Sequence, residues 1–202
     1  MKLYFAPHAC SMNPHIVLAE LGLPYELIKV DTKTKKMSNG GDFYDVSPKG
    51  YVPALELDNG EILTEGPVIV QYLADLKPEA DIAPKNGTME RVRMQEWLHY
   101  IGTELHGSAG PLFNPTMPAE VKEIFKKKLI NRIGFIEPVL EKQDYLVGGK
   151  FTPADGYLFV VLGWLKYFDI DVKQWPAIAR FVERVAKIPA VQKAIQEEDN
   201  FK

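Results

Sequence analysis

The sequence predicts an α/β half followed by an all-helical half. Three observations carry this: a strand–helix–strand pattern over residues 2–30, a hairpin signal over 54–64, and a complete change to helical spacing after a turn-rich stretch at 77–87. A chain of 202 residues is long enough for two modest cores.

Each element follows from local chemistry. Lys2 to Ala6 is apolar and aromatic and stops at Pro7, as a strand would. Ser11 to Gly22 opens on capping residue types and closes on glycine, as a helix would. After Pro24, Tyr25 to Val30 alternates like a half-buried strand, and two parallel strands joined by a helix make a βαβ unit. Residues 31–50 are polar and rich in lysine, glycine and asparagine, with a short helical stretch around Phe43 and Tyr44, and are expected to form a mobile loop. Ala54–Leu57 and Ile62–Thr64 flank Asp58-Asn59-Gly60, whose residues tolerate the positive φ of a tight hairpin turn. Pro67 to Leu76 closes this half as a helix.

Lys77 to Gly87 carries the turn residues of a linker. Beyond it, Arg91–Leu105, Glu120–Leu140, Pro153–Tyr167 and Ala177–Ile195 show apolar residues at helical spacing, interrupted by Pro118, Gly148, Pro176 and Pro189. The expected organisation is a first domain over 1–80, a linker over 81–87 and a helical domain over 88–202.

Composition excludes several classes of function. An apolar share of 46% with 25% charged residues fits a globular protein and argues against disorder or a fibrous repeat. A net charge of -3 with both signs scattered offers no basic stripe, so nucleic acid is not an expected partner. No stretch approaches a membrane span, and the N-terminus reaches Pro7 and His8 too soon for a signal peptide; a cytoplasmic protein without a membrane partner is expected. One cysteine excludes intrachain disulfides and zinc sites built on several thiolates, so redox chemistry at Cys10 needs an outside thiol.

Cys10 falls where the first strand passes into the first helix. Orphan N–H groups and the helix dipole there favour a thiolate; a small buried hydrophobe is the other reading, and position alone does not separate the two. Val52-Pro53 precedes the third strand and is a candidate cis peptide offering the Val52 backbone to an extended ligand, or an ordinary strand-start proline. Thr64-Glu65-Gly66-Pro67 marks a strand end and helix start, where free N–H groups hold a carboxylate while Glu65 holds an ammonium, or where Glu65 serves only the helix dipole.

Thr152-Pro153-Ala154-Asp155 fits a capping box, a structural device. His99 and His106 lie seven apart, so a continuous helix puts both on one face; no third ligand accompanies them, and a metal site is rejected. Tyr4 and Ser11 are alternative activators of a ligand sulfur, Tyr4 with a competing place in the strand core and Ser11 as helix N-cap.

Taken together, Pro7-His-Ala-Cys-Ser11, Asn39-Gly-Gly-Asp-Phe-Tyr44, Pro48-Lys-Gly-Tyr-Val-Pro-Ala-Leu55, Leu63-Thr-Glu-Gly66 and Phe151-Thr-Pro-Ala-Asp155 resemble the bacterial beta-class glutathione transferases in order and spacing over essentially the whole chain. The resemblance implies a thioredoxin-like domain (βαβ-α-ββα) followed by an all-α domain. It also implies glutathione as co-substrate, with no other cofactor, and a homodimer. Val52 then pairs its backbone with the cysteinyl part of glutathione across a cis Pro53. Glu65 and Gly66 hold the γ-glutamyl end, and Lys35 meets the glycyl carboxylate. His99, Thr103, Glu104, Leu105 and His106 match the family's positions on the first helix of the second domain, some of them offered across a dimer interface; His106 is the candidate neighbour of the Cys10 sulfur. Two departures stand out, His8 where glycine is frequent and His99 where asparagine is common.

The implied chemistry is attack by the glutathione thiolate on a small hydrophobic electrophile, with Phe113 and His106 in the acceptor wall of a groove between the domains. Cys10 adds thiol transfer through a mixed disulfide, and reductive dehalogenation stays chemically open. A noncatalytic carrier of apolar ligands, or an interaction module on the same fold, is the competing reading.

Overall fold

In a computed structural model, which describes residues 1–201, the chain forms two compact units. Met1–Asp81 together with the segment from Lys187 onward make one, and Ile82–Ala186 the other.

The first unit is a four-stranded mixed sheet with helices. Its strands are β1 (Lys2–Phe5), β2 (Glu26–Lys29), β3 (Ala54–Glu56) and β4 (Ile62–Thr64), in the order β2-β1-β3-β4. β1 and β2 are parallel, joined through helix α1 (Met12–Leu21); β3 and β4 run antiparallel. Register puts Leu3, Leu27, Leu55 and Leu63 in one row across the sheet. The intervening residues Tyr4, Ile28 and Ala54 face the other way and gather with Val30 and Phe43 into a core cluster. This period-2 alternation gives the sheet two buried faces, one of them packed by α1 and α2 (Gly66–Leu76). The arrangement is the thioredoxin-like one.

Two expectations change here. Residues 31–50 are tied down rather than mobile: backbone bridges join Val30 to Met37 and Lys36 to Asp42, and a 3-10 turn at Phe43–Asp45 inserts Phe43 against Tyr4. The polar composition of the segment hid one large apolar anchor. In the hairpin, Gly60 alone takes positive φ, at 85°, and closes the turn by donating its N–H to Leu57 O at 2.9 Å.

The second unit is helical: α3 (Met89–Tyr100), α4 (Gly107–Ala109), α5 (Ala119–Gly134), α6 (Glu137–Leu140), α7 (Pro153–Leu162) and α8 (Pro176–Val185). Its core gathers Met94, Leu98, Leu129, Ile133, Leu158, Phe181 and Val185. The Glu137 carboxylate accepts the Ala177 and Ile178 N–H groups at 2.8 and 3.0 Å, satisfying orphan donors at the start of α8.

The capping box forms. The Asp155 carboxylate accepts from the Thr152 N–H, the Thr152 hydroxyl and the Leu146 N–H at 2.7–2.8 Å. Burial nevertheless pushes its carboxyl up to about 6, against the pull of these hydrogen bonds.

The last helix, α9 (Pro189–Asp199), packs on α1, so residues from Lys187 onward belong to the first unit and not to the helical one expected over 88–202. The physical reason is a buried polar contact between α1 and the end of α9.

Candidate functional site

The Pro7–Cys10 segment is a compact turn after β1. Ala9 donates its N–H to Ala6 O at 3.1 Å, and His8 holds φ at 58°. Cys10 is half-buried, and its thiol donates to Val52 O at 3.3 Å. The Val52–Pro53 peptide is cis. Burial pushes the thiol up to about 11; the backbone N–H groups of Cys10 and Ser11 pull the other way, and the Glu65 charge adds to the rise. Burial thus opposes the pull of the helix terminus toward a thiolate and favours the protonated sulfur in the ligand-free protein.

Ser11 stands at the N-cap position of α1 without a side-chain cap bond. Its hydroxyl, fully buried, donates to Ala6 O and accepts the Ala6 N–H, both at 3.1 Å, and makes no cap bond to α1. It braces the turn from inside. Tyr4 sits in the core and donates to Glu56 at 2.6 Å; burial, then that carboxylate, raises its phenol.

Three more expected residues gather around the same peptide. A Cβ built on Gly66 would stand 3.5 Å from the Pro53 ring, so Gly66 lies against the cis proline. Glu65, before it, holds φ 68° and ψ 102°, a conformation that costs a non-glycine residue about 1–3 kcal/mol. Its carboxylate meets Lys49 Nζ at 2.7 Å, which also reaches Thr64 Oγ1 at 3.0 Å. Lys35, at φ 61°, donates to Gly50 O at 2.8 Å beside the Tyr51 ring. Cys10, Lys35, Val52, Pro53, Glu65 and Gly66 thus share one patch of the first unit. Lys49 was missed; its place in Pro48-Lys-Gly-Tyr51, ahead of the cis proline, was the available signal.

Behind the Cys10 turn lies a second cluster that sequence reading did not find. Glu198, 2% exposed, accepts the His8 backbone N–H at 2.7 Å and lies 3.0 Å from His15 Nδ1. The His15 ring is fully buried, with Nε2 2.8 Å from Glu197, which also accepts the Tyr25 hydroxyl at 2.6 Å. Asp199 meets His8 Nε2 at 2.8 Å. Glu198 and Asp199 at the end of α9 therefore hold the turn that carries Cys10 through His8, while Glu197 holds His15 and Tyr25.

In the second unit, the continuous helix expected through His99 and His106 is interrupted. Ile101–His106 is a π-helical turn, whose wider winding breaks the seven-residue register between the two histidines. Thr103 Oγ1 donates to His99 O at 3.0 Å and Ser108 Oγ to Glu104 O at 2.5 Å, the back-bonding that perturbs a helix locally.

The remaining expected residues diverge along this segment. His99 and Thr103 are exposed, and Leu105 is fully buried in the core. The Glu104 carboxylate is taken by Arg132 at 2.7 Å and Lys128 at 3.6 Å. His106 Nδ1 pairs with the Tyr157 hydroxyl at 2.6 Å, and its ring meets Trp164 edge-on at 4.9 Å. Burial lowers its pKa, which favours the neutral imidazole. Half-exposed Phe113 meets Trp164 at 5.8 Å and Phe168 at 4.7 Å, extending an aromatic surface from the histidine. No cluster of three or more metal-ligating side chains exists among the described residues.

Two family models match this chain: the glutathione S-transferase N-terminal domain over residues 9–76 and the C-terminal domain over 97–189. The chain belongs to the glutathione S-transferase family. It is 41% identical over 198 residues to glutathione S-transferase GstA of Escherichia coli O157:H7, covering 98% of both chains. Among solved structures it is similar to a bacterial beta-class glutathione S-transferase of Sphingomonas chungbukensis, with TM-score 0.95, 42% identity and 98% of each chain covered. It is also similar to a sphingomonad glutathione S-transferase complexed with glutathione, with TM-score 0.96 and 40% identity, covering 99% of this chain and 100% of that one. The beta-class resemblance read from the motifs is therefore supported over nearly the whole length.

Proposed function

We propose that this protein is a glutathione transferase that binds glutathione in the patch around the cis Val52–Pro53 peptide and transfers its sulfur to small apolar electrophiles. The observation that carries the reading is the Cys10 thiol aimed at Val52 O, with Gly66 against the adjoining cis proline. The sphingomonad relative solved with glutathione supports it.

The extended cysteinyl part of glutathione pairs with the Val52 backbone, which brings its sulfur beside Cys10. The strained Glu65 turn presents a carboxylate to the γ-glutamyl ammonium, while N–H groups at the start of α2 face its carboxylate. Lys35 trades a neutral carbonyl partner for the glycyl carboxylate, a stronger charge-assisted bond. Because Cys10 rests as a thiol, its S–H donates to the incoming glutathione thiolate and favours that ionised form. The thiolate then attacks an electrophilic carbon; the S–C bond forms, and the leaving group departs with its electron pair. The His106–Trp164–Phe113 surface offers the apolar contact such an electrophile needs. The beta-class resemblance adds His99, Thr103, Glu104 and Leu105 to the glutathione-binding set; in the second unit Glu104 pairs with Arg132 and Leu105 is buried.

Cys10 also supports thiol transfer. Its thiolate attacks the glutathionyl sulfur of a mixed disulfide between glutathione and another thiol, that other thiol leaves as its thiolate, and a second glutathione attacks the Cys10–glutathione disulfide, regenerating Cys10 and releasing oxidised glutathione. With a thiol near 11, only about one molecule in ten thousand holds the thiolate at pH 7, so this reaction accelerates steeply with pH. Exposed Tyr51, Met89, Val92 and Ile124 supply apolar area for a twofold homodimer working in the cytoplasm.

Intact mass after incubation with oxidised glutathione, with Cys10→Ser in parallel, tests the reading, followed by assays of disulfide reduction and of conjugation to an activated aryl halide. The expected result is an adduct confined to the cysteine protein, disulfide reduction lost in the variant and conjugation partly retained. Absence of an adduct, with conjugation equal in both proteins, would make Cys10 a bystander.

A further inference from the structure

The Glu65 carboxylate, which the proposed function assigns to a ligand ammonium, already holds an ammonium belonging to the chain. Lys49 Nζ lies 2.7 Å from Glu65 Oε1 and 3.0 Å from Thr64 Oγ1, two acceptors of the same turn. The second lysine of the patch behaves differently: Lys35 rests on the neutral carbonyl of Gly50, the residue next to Lys49. One ligand-facing lysine thus satisfies a carbonyl, and the other neutralises the one carboxylate on which ammonium recognition depends. The backbone of Glu65, at φ 68° between the strand end and the helix start, sets where its side chain leaves the chain.

We propose that Lys49 is an internal competitor for the γ-glutamyl ammonium: glutathione enters by displacing the Lys49 ammonium from Glu65, and the exchange sets specificity for ligands that carry an α-amino group. A peptide or thiol lacking that amine leaves the Lys49–Glu65 pair intact and gains nothing from Glu65. One bearing it replaces a flexible lysine, which returns to water, with an ammonium anchored at several other points. The exchange conserves charge at Glu65 throughout. Both side chains are more than half exposed, so the pair is of the weak, solvent-screened kind. Its displacement therefore costs the ligand a few-fold in affinity and does not block the site.

The inference rests on the glutathione reading, and one experiment separates the two. Calorimetric titration of S-methylglutathione and of its desamino analogue is made on the wild type and on Lys49→Gln, at low and at high ionic strength. For Lys49→Gln, the affinity ratio of the amino to the desamino ligand rises about two- to fivefold, the range expected for release of an exposed ion pair. High salt, which weakens the pair in the wild type, narrows that difference between the two proteins. An unchanged ratio overturns the competitor role. A lowered ratio overturns it too and places Lys49 on the ligand as a direct contact. If S-methylglutathione fails to bind even the wild type, the glutathione reading itself falls, and the inference with it.

Discussion

The first unit holds two sets of contacts on either side of the turn that carries Cys10, and they differ in kind. On the sulfur side, partners are exchangeable: a thiol on a carbonyl, a lysine on a carbonyl, a lysine on an exposed glutamate, each able to swap for a ligand group of better charge. On the α9 side, the central pair is buried and saturated: the His15 ring lies between two carboxylates, and buried Glu198 receives both an imidazole nitrogen and the His8 N–H. Fixed positions come from the buried set and binding from the exchangeable one, which is how a site keeps its geometry while its hydrogen bonds turn over.

Breaking the saturated side gives the largest effect. Glu198→Ala leaves a buried imidazole and a backbone N–H without their acceptor, and a stability loss of about 3–5 kcal/mol is expected in urea unfolding. A loss below about 1 kcal/mol would mean that the cluster is idle.

The exchangeable side predicts the opposite pattern. Glu65→Gly relieves a strained backbone and deletes only an exposed pair, so stability rises by about 1 kcal/mol. Removing a charged hydrogen-bond partner meanwhile weakens glutathione binding about tenfold or more. Parallel loss of both properties would contradict the distinction.

A third test carries the comparison into the helical unit, where Asp155 is another saturated, buried carboxyl. Its folded value of about 6 lies above its ordinary 3.8, so the folded state holds a proton where the unfolded state does not. Stability from this group therefore grows as pH falls through 6 and is lost as pH rises. Relative to Asp155→Asn, the wild type should gain about 1 kcal/mol between pH 7 and pH 5 in thermal or urea unfolding. The smallest effect belongs to Lys49→Gln, whose stability should stay within about 0.5 kcal/mol of wild type because the pair is exposed.

What the sequence made legible was local. The βαβ unit, the hairpin, the helix starting at Gly66-Pro67 and the Thr152–Asp155 box each declare themselves within a few residues. The patch around Val52–Pro53 was legible through motif order, because Cys10, Val52, Pro53, Glu65 and Gly66 each sit in a short motif at a turn, while Lys35 came from the resemblance alone. The His15–Glu198 contact joins residues 183 apart, and nothing in Glu197-Glu198-Asp199 distinguishes a buried acidic group from a solvated helix end. For that reason the expected boundary left the residues from Lys187 onward in the domain over 88–202. The π-helical turn was also out of reach: periodicity reads a helix of constant pitch, and Gly102, Thr103, Gly107 and Ser108 signal a perturbation without giving its hand or width. The resting state of Cys10 turned on magnitude, since helix terminus and burial oppose each other and only the degree of burial decides.

The central claim is that Cys10 is the thiol donor and glutathione the thiolate, and the ultraviolet absorbance of thiolate against pH tests it most directly. The free protein should develop no thiolate signal until the pH approaches about 11. Adding saturating glutathione should produce a stoichiometric signal near neutral pH, in excess of what free glutathione gives. A Cys10 thiolate already present at pH 7 in the free protein, or no added signal with glutathione bound, would contradict the account.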